Sequence, residues 1–337
     1  MVDKKITIAI DAMGGDDSPF KILKGTEIFL QNNQEVNIVF LGEEDLLNEI
    51  IQKKKIRLFN YSIINTENNV EDNDSPSIIL RQRKDSSIKK GLELIKDISD
   101  SGFVSAGNTG AIMMLSKLTL GMIEGIERPA ICSMIPNEKG FSILLDLGAN
   151  TNCDKKNLFQ FALMGYCYYR IINPNINPTL SILNIGIEKN KGKEYLQECM
   201  SLINNSFLKS NFLGFIEPNK IFSGESDIMI TDGFTGNMII KTAEGLSTYI
   251  MKNIKNIFAS SFKNKLAYKI IENDFRFIKD KINPDKYDGA ILLGVNGISI
   301  KSHGNSNSYA VAQAINRCHK FIINDLNSQI REKLIQS

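Results

Sequence analysis

The sequence predicts an α/β protein built on a mostly parallel sheet with helices on both faces. Short apolar, β-branched runs recur along the chain and alternate with segments whose apolar residues repeat at helical spacing. The runs are apolar throughout, which is typical of strands covered on both sides. Many of them end in Gly, Asp or Asn, and the carboxyl ends of such strands are where α/β sheets bind ligands.

The elements follow one another in a regular order. The clearest strands are expected at residues 6–10, 37–41, 141–145, 180–183, 227–230 and 290–293, and a short apolar run at 102–104 also reads as a strand. Helical spacing appears between them, as at 45–54, 158–169 and 193–203. Because no repeat and no long linker divides the chain, we expect residues 1–337 to form a single domain.

The segment 243–282 differs from the rest because it has no strand-like run. Its apolar residues, such as Ile250, Phe258 and Leu266, recur at helical spacing with lysines between them. This predicts a long helix or a helical pair that protrudes from the sheet domain. Such a protrusion packs on the core or on a second subunit, or it presents an apolar and basic tip to a membrane surface or a lipid-bearing partner.

Composition excludes several classes of protein. The 337 residues are 42% hydrophobic and 23% charged, which is ordinary for a soluble globular protein, and a net charge of +2 argues against generic nucleic-acid binding. Five scattered cysteines without a CxxC motif indicate reduced thiols of a cytoplasmic protein. With only two histidines, we expect no metal site, and no motif calls for a cofactor. We also expect no signal peptide and no transmembrane segment.

Two strand–turn–helix junctions carry the clearest chemistry. Ser-Ala-Gly-Asn-Thr-Gly-Ala at 105–111 and Asp-Gly-Phe-Thr-Gly-Asn at 232–237 each follow an apolar strand and precede a helical pattern. Glycines let the backbone approach a ligand closely, and the first N–H groups of a helix have no acceptor inside it. Such a junction therefore favours an anion, usually a phosphate.

Four more strand ends are rich in Gly, Asp and Asn, at 11–16, 146–150, 184–189 and 294–297. Structural turns need the same residues, so a single turn of this kind indicates little. Six turns that converge on one edge of the sheet would indicate a binding site.

The segment 76–90 is basic, with Arg81, Arg83 and Lys84 close together. It is either a solvated helix face or a docking patch for an acidic partner.

Taken in order, five motifs resemble one family. They are Asp-Ala-Met-Gly-Gly-Asp at 11–16, the turn at 105–111, Asp-Leu-Gly-Ala-Asn at 146–150, the turn at 232–237, and Ile-Lys-Ser-His-Gly-Asn-Ser at 300–306. The set closely resembles the acyl-carrier-protein-dependent phosphate acyltransferases of bacterial phospholipid synthesis. The resemblance runs from about residue 6 to the final helix.

The resemblance implies an activity and a set of partners. Such enzymes move a fatty acyl group from the phosphopantetheine thioester of acyl carrier protein to inorganic phosphate. The acyl phosphate is then used by a membrane acyltransferase to acylate glycerol 3-phosphate. The family is homodimeric and cytoplasmic with peripheral membrane association, and its fold is similar to the isocitrate/isopropylmalate dehydrogenase group and to phosphotransacetylases.

The chain departs from the family pattern in two places. Asp17 stands where family members often have His, and Asn307 stands where they usually have Asp. A role for an imidazole at the first position or a carboxylate at the second is therefore not expected. The family's Gly-x-Glu-x-x-Lys-Gly motif is retained at 186–192.

The chemistry of acyl transfer to phosphate suggests a role for each motif. We expect the backbone and side chains of Gly107, Asn108, Thr109 and Gly110 to hold phosphate. Lys301 would add positive charge, and His303 is a candidate general acid for the leaving thiolate, although a lone histidine is as often structural.

The second junction would serve the acyl or pantetheine end of the substrate. Asp232 is a candidate base in the reverse reaction or simply a helix N-cap. The candidate substrate-binding residues are Asn150, Lys189, Lys191 and Asn237. We expect a bound anion to lie between Asn108, Asp232 and Lys301. The acidic carrier protein is expected to dock on Arg81, Arg83 and Lys84.

Three other functions are compatible with parts of this pattern. A phosphotransacetylase that acts on short acyl-CoA shares the fold and chemistry but needs no basic docking face. A metal-dependent hydroxyacid dehydrogenase would need an Arg set and Asp ligands that the sequence does not cluster. The third is a non-catalytic scaffold for lipid enzymes, against which the retained strand-end motifs argue.

Overall fold

A computed structural model describes residues 5–68, 70–71, 74, 76–83, 85–281 and 283–337. Its strands are β1 Thr7–Asp11, β2 Asn37–Gly42, β3 Tyr61–Asn65, β4 Ser101–Ser105, β5 Ala130–Asn137, β6 Gly140–Leu145, β7 Leu180–Leu183, β8 Phe212–Ile216, β9 Ile228–Ile230, β10 Ala290–Leu293 and β11 Ile298–Lys301. Its helices are α1 Phe20–Leu30, α2 Glu44–Lys54, α3 Pro76–Gln82, α4 Ser87–Asp97, α5 Thr109–Leu120, α6 Lys155–Ile172, α7 Glu194–Asn204, α8 Gly233–Ala259, α9 Phe262–Lys281, α10 Ser308–Ile323 and α11 Leu326–Ile335.

The strands form one 11-stranded sheet in the order β3-β2-β1-β4-β11-β10-β5-β6-β9-β7-β8. The pairs β11–β10, β10–β5 and β5–β6 are antiparallel, and the other neighbouring pairs are parallel. The expected α/β architecture with a mostly parallel sheet is therefore confirmed. The three antiparallel pairs reverse the strand direction in the middle of the sheet.

Helices cover both faces of this sheet. Ile8 and Ile10 of β1 pack in one apolar cluster with α1, α6 and α10, whereas Ala9 between them packs in a second cluster with α4 and α5. Successive side chains of a strand point to opposite faces, so both faces of β1 are buried. This explains why the strand reads as a continuous apolar run.

Because of the reversal, the carboxyl ends of strands lie at both of the opposite ends of the sheet. We call the carboxyl ends of β1, β4 and β11 the first edge. The carboxyl ends of β6, β7, β9 and β10 form the second edge, because these strands run the opposite way. Ligand-binding turns follow strand ends, so each edge has its own set of turns.

Helices α8 and α9 form a hairpin that projects from the sheet. Phe258 of α8 lies 5.2 Å from Tyr268 and 5.1 Å from Phe275 of α9, measured between ring centroids, and these contacts hold the two helices together. The buried residues of α8 are Gly233 and Gly236, both in its first turn. Residues 243–276, whose side chains the structure describes, include no buried residue, so this part of the segment does not pack into the core of its own subunit.

Several large apolar side chains of the hairpin are exposed. Phe262 is 82% exposed and Ile270 is 77% exposed. Among the described residues, no helix combines the length and apolar character needed to cross a membrane.

Candidate active site

The Gly-rich turn after β4 opens helix α5 at the first edge. The Asn108 side chain caps this helix by accepting a hydrogen bond from the Ala111 N–H at 2.9 Å. The N–H groups of Thr109 and Gly110 occupy the first turn, where no acceptor exists inside the helix. Both residues are exposed, so this turn offers N–H donors and the positive end of the helix dipole to an anion.

A buried carboxylate fixes the shape of this turn. Asp11 at the end of β1 accepts hydrogen bonds from the Ser105 hydroxyl at 2.6 Å and from the Met13 N–H at 3.1 Å. The Ser105 oxygen in turn accepts from the Gly107 N–H at 3.0 Å. Burial raises the pKa of Asp11, and the hydrogen bonds that it accepts act in the opposite direction.

Two glycine-containing loops approach each other closely at the same place. A Cβ added to Gly14 would lie 2.5 Å from the Gly107 nitrogen and 2.5 Å from the Asp11 carboxylate. No side chain fits there, so the Gly-Gly pair of the first motif serves backbone packing against the turn after β4.

The loop after β11 completes the first edge. The Lys301 ammonium donates to the Ala106 carbonyl at 3.4 Å and to the Ser302 carbonyl. His303 is exposed, and its backbone N–H donates to Asp288 at 3.1 Å. Lys301 ends β11 beside the Gly-rich turn, and His303 lies on the loop that follows.

Sequence reasoning missed the residue that anchors this loop. Asp288 is 3% exposed and also accepts hydrogen bonds from the hydroxyls of Ser302 and Ser306, the latter at 2.6 Å. Arg317 of α10 holds the backbone around it by donating to the Tyr287 and Asp288 carbonyls. Asp288 follows an irregular segment without a motif, so its role could only be seen once the chain had folded.

A second cluster lies at the second edge, around the turn after β6. Asp146 accepts hydrogen bonds from the N–H groups of Ile131, Ala149 and Asn150, at 3.0, 3.0 and 2.7 Å. A Cβ on Gly236 would lie 1.9 Å from the Asp146 carbonyl oxygen, so α8 can begin against this turn only with glycine at that position.

The structure gives Asn150 a structural role. Its side-chain amide donates to the Pro129 carbonyl at 2.6 Å and to Asp146 at 2.8 Å, so both amide protons are used within the protein. The side chain is buried, and it fastens the turn. Its expected contact with substrate remains a prediction, and the arrangement does not favour it.

Asp232 caps helix α8. Its carboxylate accepts from the Thr235 N–H at 2.9 Å, from the Thr235 hydroxyl at 2.8 Å and from the Tyr195 hydroxyl at 3.3 Å. Asn237 is exposed one turn further along, near Gly148.

The turns do not converge on one edge, which corrects the expectation from the sequence. The turns at 11–16 and 105–111 and the loop 301–307 lie at the first edge, whereas those at 146–150, 184–189, 232–237 and 294–297 lie at the second. The edges are separated by the length of a strand, about 15 Å for five residues. An anion held by Asn108 and Lys301 is therefore not held by Asp232 of the same subunit.

The remaining basic candidates are surface residues. Lys189 and Lys191 follow β7 at the second edge and are exposed, and Lys191 pairs with Glu188 at 2.9 Å. Hydrogen bonding to Glu188 raises the pKa of Lys191.

Within the basic segment 76–90, Arg83 is paired with two acids that precede the segment. Arg83 pairs with Asp74 at 2.9 Å and with Glu71 at 3.3 Å. Arg81 is exposed on α3, and Lys84 lies outside the described residues.

Comparison with known proteins places the chain among enzymes of acyl transfer. The family model described as "Fatty acid synthesis protein" matches residues 6–329. The phosphate acyltransferase of Clostridium tetani is 39% identical over 333 residues, which cover 97% of this chain and 98% of that protein. The phosphate acyltransferase of Rhodospirillum centenum is 35% identical over 333 residues, which cover 99% and 94% of the two chains.

Solved structures support the fold. A phosphotransacetylase from Streptococcus pyogenes aligns with a TM-score of 0.62 at 15% identity over 96% of this chain and 95% of its own. The EutD phosphotransacetylase from Staphylococcus aureus aligns with a TM-score of 0.58 at 13% identity over 95% and 94%. At these identities the likeness is one of fold.

Proposed function

Because the chain belongs to the fatty acid synthesis protein family and is an acyltransferase, we propose a specific reaction for it. It transfers a fatty acyl group from acyl carrier protein to inorganic phosphate. The product is an acyl phosphate, which a membrane glycerol-3-phosphate acyltransferase would consume in phospholipid synthesis. The observation that carries the proposal is the anion-binding geometry of the first edge, where the Asn108-capped turn and Lys301 meet.

The reaction requires little beyond positioning and charge. A phosphate oxygen attacks the thioester carbonyl carbon, a C–O bond forms, and the C–S bond breaks to release the pantetheine thiolate. Phosphate is already a nucleophile at neutral pH, so no covalent acyl-enzyme is needed. The N–H groups of Thr109 and Gly110 and the ammonium of Lys301 would hold the anion in position.

His303 is proposed to give a proton to the departing thiolate. Its backbone is fixed by Asp288, and its exposed imidazole lies on the loop that contacts the phosphate turn. An imidazole titrates near neutral pH, which suits a general acid.

We propose that the protein acts as a homodimer and that Asp232 and Asn237 act from the partner copy. The separation of the two edges supports this, because neither residue reaches the phosphate turn of its own subunit. Helix α8, which Asp232 caps, also presents exposed Phe234, Met238 and Leu246.

The hairpin is proposed to attach this cytoplasmic enzyme to the membrane surface. Exposed apolar residues at its tip, Phe262, Leu266 and Ile270, alternate with Lys263, Lys265 and Lys269. Such a surface suits the boundary of an anionic bilayer, where the acyl phosphate would be consumed.

The carrier protein is proposed to dock near Arg81 and Lys84, with Lys189 and Lys191 as candidates for the pantetheine phosphate. Arg83 contributes less, because two acids already neutralise it. Charge reversal of Arg81 should raise the KM for acyl carrier protein, and the effect should shrink as salt is added. An unchanged KM at low salt would remove this patch from consideration.

The deciding experiment compares two donors. Purified protein is incubated with inorganic phosphate and either palmitoyl carrier protein or acetyl-CoA, and acyl phosphate is trapped with hydroxylamine. We expect efficient formation from the carrier protein only. A preference for acetyl-CoA would identify a short-chain phosphotransacetylase, and no product from either donor would favour a scaffold.

A further inference from the structure

We propose that Lys21 is a second cationic ligand of the phosphate, in addition to Lys301. The inference rests on the proposed function, since it assigns a further residue to the same anion site. No motif pointed to Lys21, which stands in the first turn of α1 within an ordinary amphipathic pattern.

Lys21 is directed inward toward the first edge. The residue is 5% exposed, although lysine is among the residue types least often buried. Its ammonium donates a hydrogen bond to the carbonyl of Gly304, one residue after His303. The Lys21 side chain thus reaches from α1 to the loop that follows Lys301 and includes His303.

The ammonium lies beside the phosphate turn. A Cβ built on Gly15 would lie 3.0 Å from the Lys21 Nζ, 3.1 Å from the Ala106 Cβ and 2.8 Å from the Gly304 carbonyl oxygen. Ala106 immediately precedes Gly107, and the ammonium of Lys301 contacts the Ala106 carbonyl. The ammonium groups of Lys21 and Lys301, which come from different elements, therefore both lie near Ala106, the second residue of the turn.

An anion at this site needs the charged form of Lys21 and competes with nearby carboxylates for its ammonium. Burial lowers the pKa of Lys21, while the carboxylates of Asp16, Asp17 and Asp288 favour its charged form. A carbonyl satisfies one of the three protons of an ammonium. A divalent phosphate would offer the others charged acceptors, and such bonds are about twice as strong as neutral ones.

The test uses Lys21→Met, with Lys24→Met as its matched control. Lys24 lies on the same helix but is exposed and pairs with Glu27, so its loss removes an equal charge away from the turn. Phosphate affinity is measured by equilibrium dialysis with labelled phosphate, and KM is measured separately for phosphate and for palmitoyl carrier protein. We expect Lys21→Met to weaken phosphate binding and raise the phosphate KM by about tenfold or more, with the carrier-protein KM nearly unchanged. Lys24→Met should alter neither value by more than about twofold.

An unchanged phosphate affinity in a folded Lys21→Met protein would overturn the proposal. If this variant does not fold, a structure of the unaltered protein with bound phosphate decides the question. The Lys21 Nζ should then lie within about 3.2 Å of a phosphate oxygen, and a longer distance would overturn the proposal. If the unaltered protein neither binds phosphate nor forms acyl phosphate, the proposed function itself fails.

Discussion

At the scale of single residues, the cysteines bear on the chemistry. Burial raises the pKa of Cys153 to about 12, and nearby Asp146 and Asp232 act in the same direction. Burial likewise raises the pKa of Cys167 to about 12 and that of Cys132 further. Thiols with such pKa values are protonated at neutral pH and are poor nucleophiles.

Direct transfer to phosphate therefore predicts that Cys153→Ser keeps kcat within about twofold, because no acyl-cysteine forms. Alkylation of Cys153 in the unaltered protein should be slow at pH 7 and become faster as the pH rises toward 12. Mass spectrometry of the quenched reaction checks this. A covalent acyl-cysteine, or a hundredfold loss of turnover in the Ser variant, would contradict direct transfer.

His303 is predicted to matter to the chemical step. His303→Gln should lower kcat by roughly ten- to a hundredfold near neutral pH, less than many general acids because a thiolate leaves readily. The pH profile of kcat is the measurement. Near-wild-type turnover of His303→Gln at every pH would show that the imidazole transfers no proton.

Asp288 is predicted to position the loop that carries His303. Its carboxylate accepts from two hydroxyls and from the backbone N–H groups of Gly289 and His303, so Asp288→Asn would place amide protons against some of those donors. We expect a loss of about 1–3 kcal/mol in the free energy of unfolding and a lower kcat. Urea denaturation measures the free energy of unfolding, and Asp97→Asn, at an exposed position, is the control. Equal stability of the two variants would show that the loop does not depend on Asp288.

At the scale of elements, variants of Asp232 at the start of helix α8 can distinguish a capping role from a catalytic role. Asn caps a helix about as well as Asp, whereas Ala does not. Asp232→Asn keeps the cap but turns an amide toward the hydroxyls of Thr235 and Tyr195, so it should lower the free energy of unfolding less than Asp232→Ala, which also loses the cap at a cost of about 1 kcal/mol. If Asp232 also acts in the reaction, both variants lose activity. Full activity of the Asn variant would leave Asp232 only as a cap.

The hairpin of α8 and α9 gives a second element-scale prediction. Phe262→Glu should weaken sedimentation with anionic vesicles, because it removes an exposed aromatic side chain and adds a negative charge at the tip. Asn256→Glu adds the same charge at an exposed polar position and is the control. Acyl phosphate formation in solution should be unchanged in both. Equal vesicle binding by the two variants would place the membrane contact elsewhere.

At the scale of the whole molecule, the two edges predict complementation between subunits. His303→Gln removes a group from the first edge, and Asp232→Asn removes one from the second. If sites are completed across a dimer, a mixture of the two inactive variants regains up to about a quarter of the activity, because half of the molecules form heterodimers with one intact site. Mixing after subunit exchange measures this. No recovery in a mixture shown to contain heterodimers would contradict the shared site.

Much of the fold could be predicted from the sequence, and the reasons are physical. Strands covered on both faces, such as β1 and β10, are continuous apolar runs, so they were found within a residue of their bounds. Strand β3, the outermost strand on one side of the sheet, has the sequence Tyr-Ser-Ile-Ile-Asn and is mostly exposed. Strand β11 ends in Ser-Ile-Lys, so neither strand is a continuous apolar run.

The site was predicted only in part. Residues in Gly-rich turns, such as Asn108, can be predicted from the local composition. The direction of a strand cannot be predicted in this way, because an apolar run has the same composition whichever way it enters the sheet. This is why the sequence predicts all the turns on one edge. Lys21 and Asp288 acquire their surroundings only from loops far away in sequence.

The place of β11 and α10 in the sheet has a consequence for how the protein is made. Strand β11 lies between β4 and β10, and α10 packs against α1, so elements near the end of the chain complete the half that is synthesised first. On the ribosome, β1, β2 and β4 emerge long before β11, the strand that pairs with the free side of β4. Until β11 has left the exit tunnel, the side of β4 that it will cover stays unpaired, and an unpaired strand of this kind can pair with other chains during synthesis.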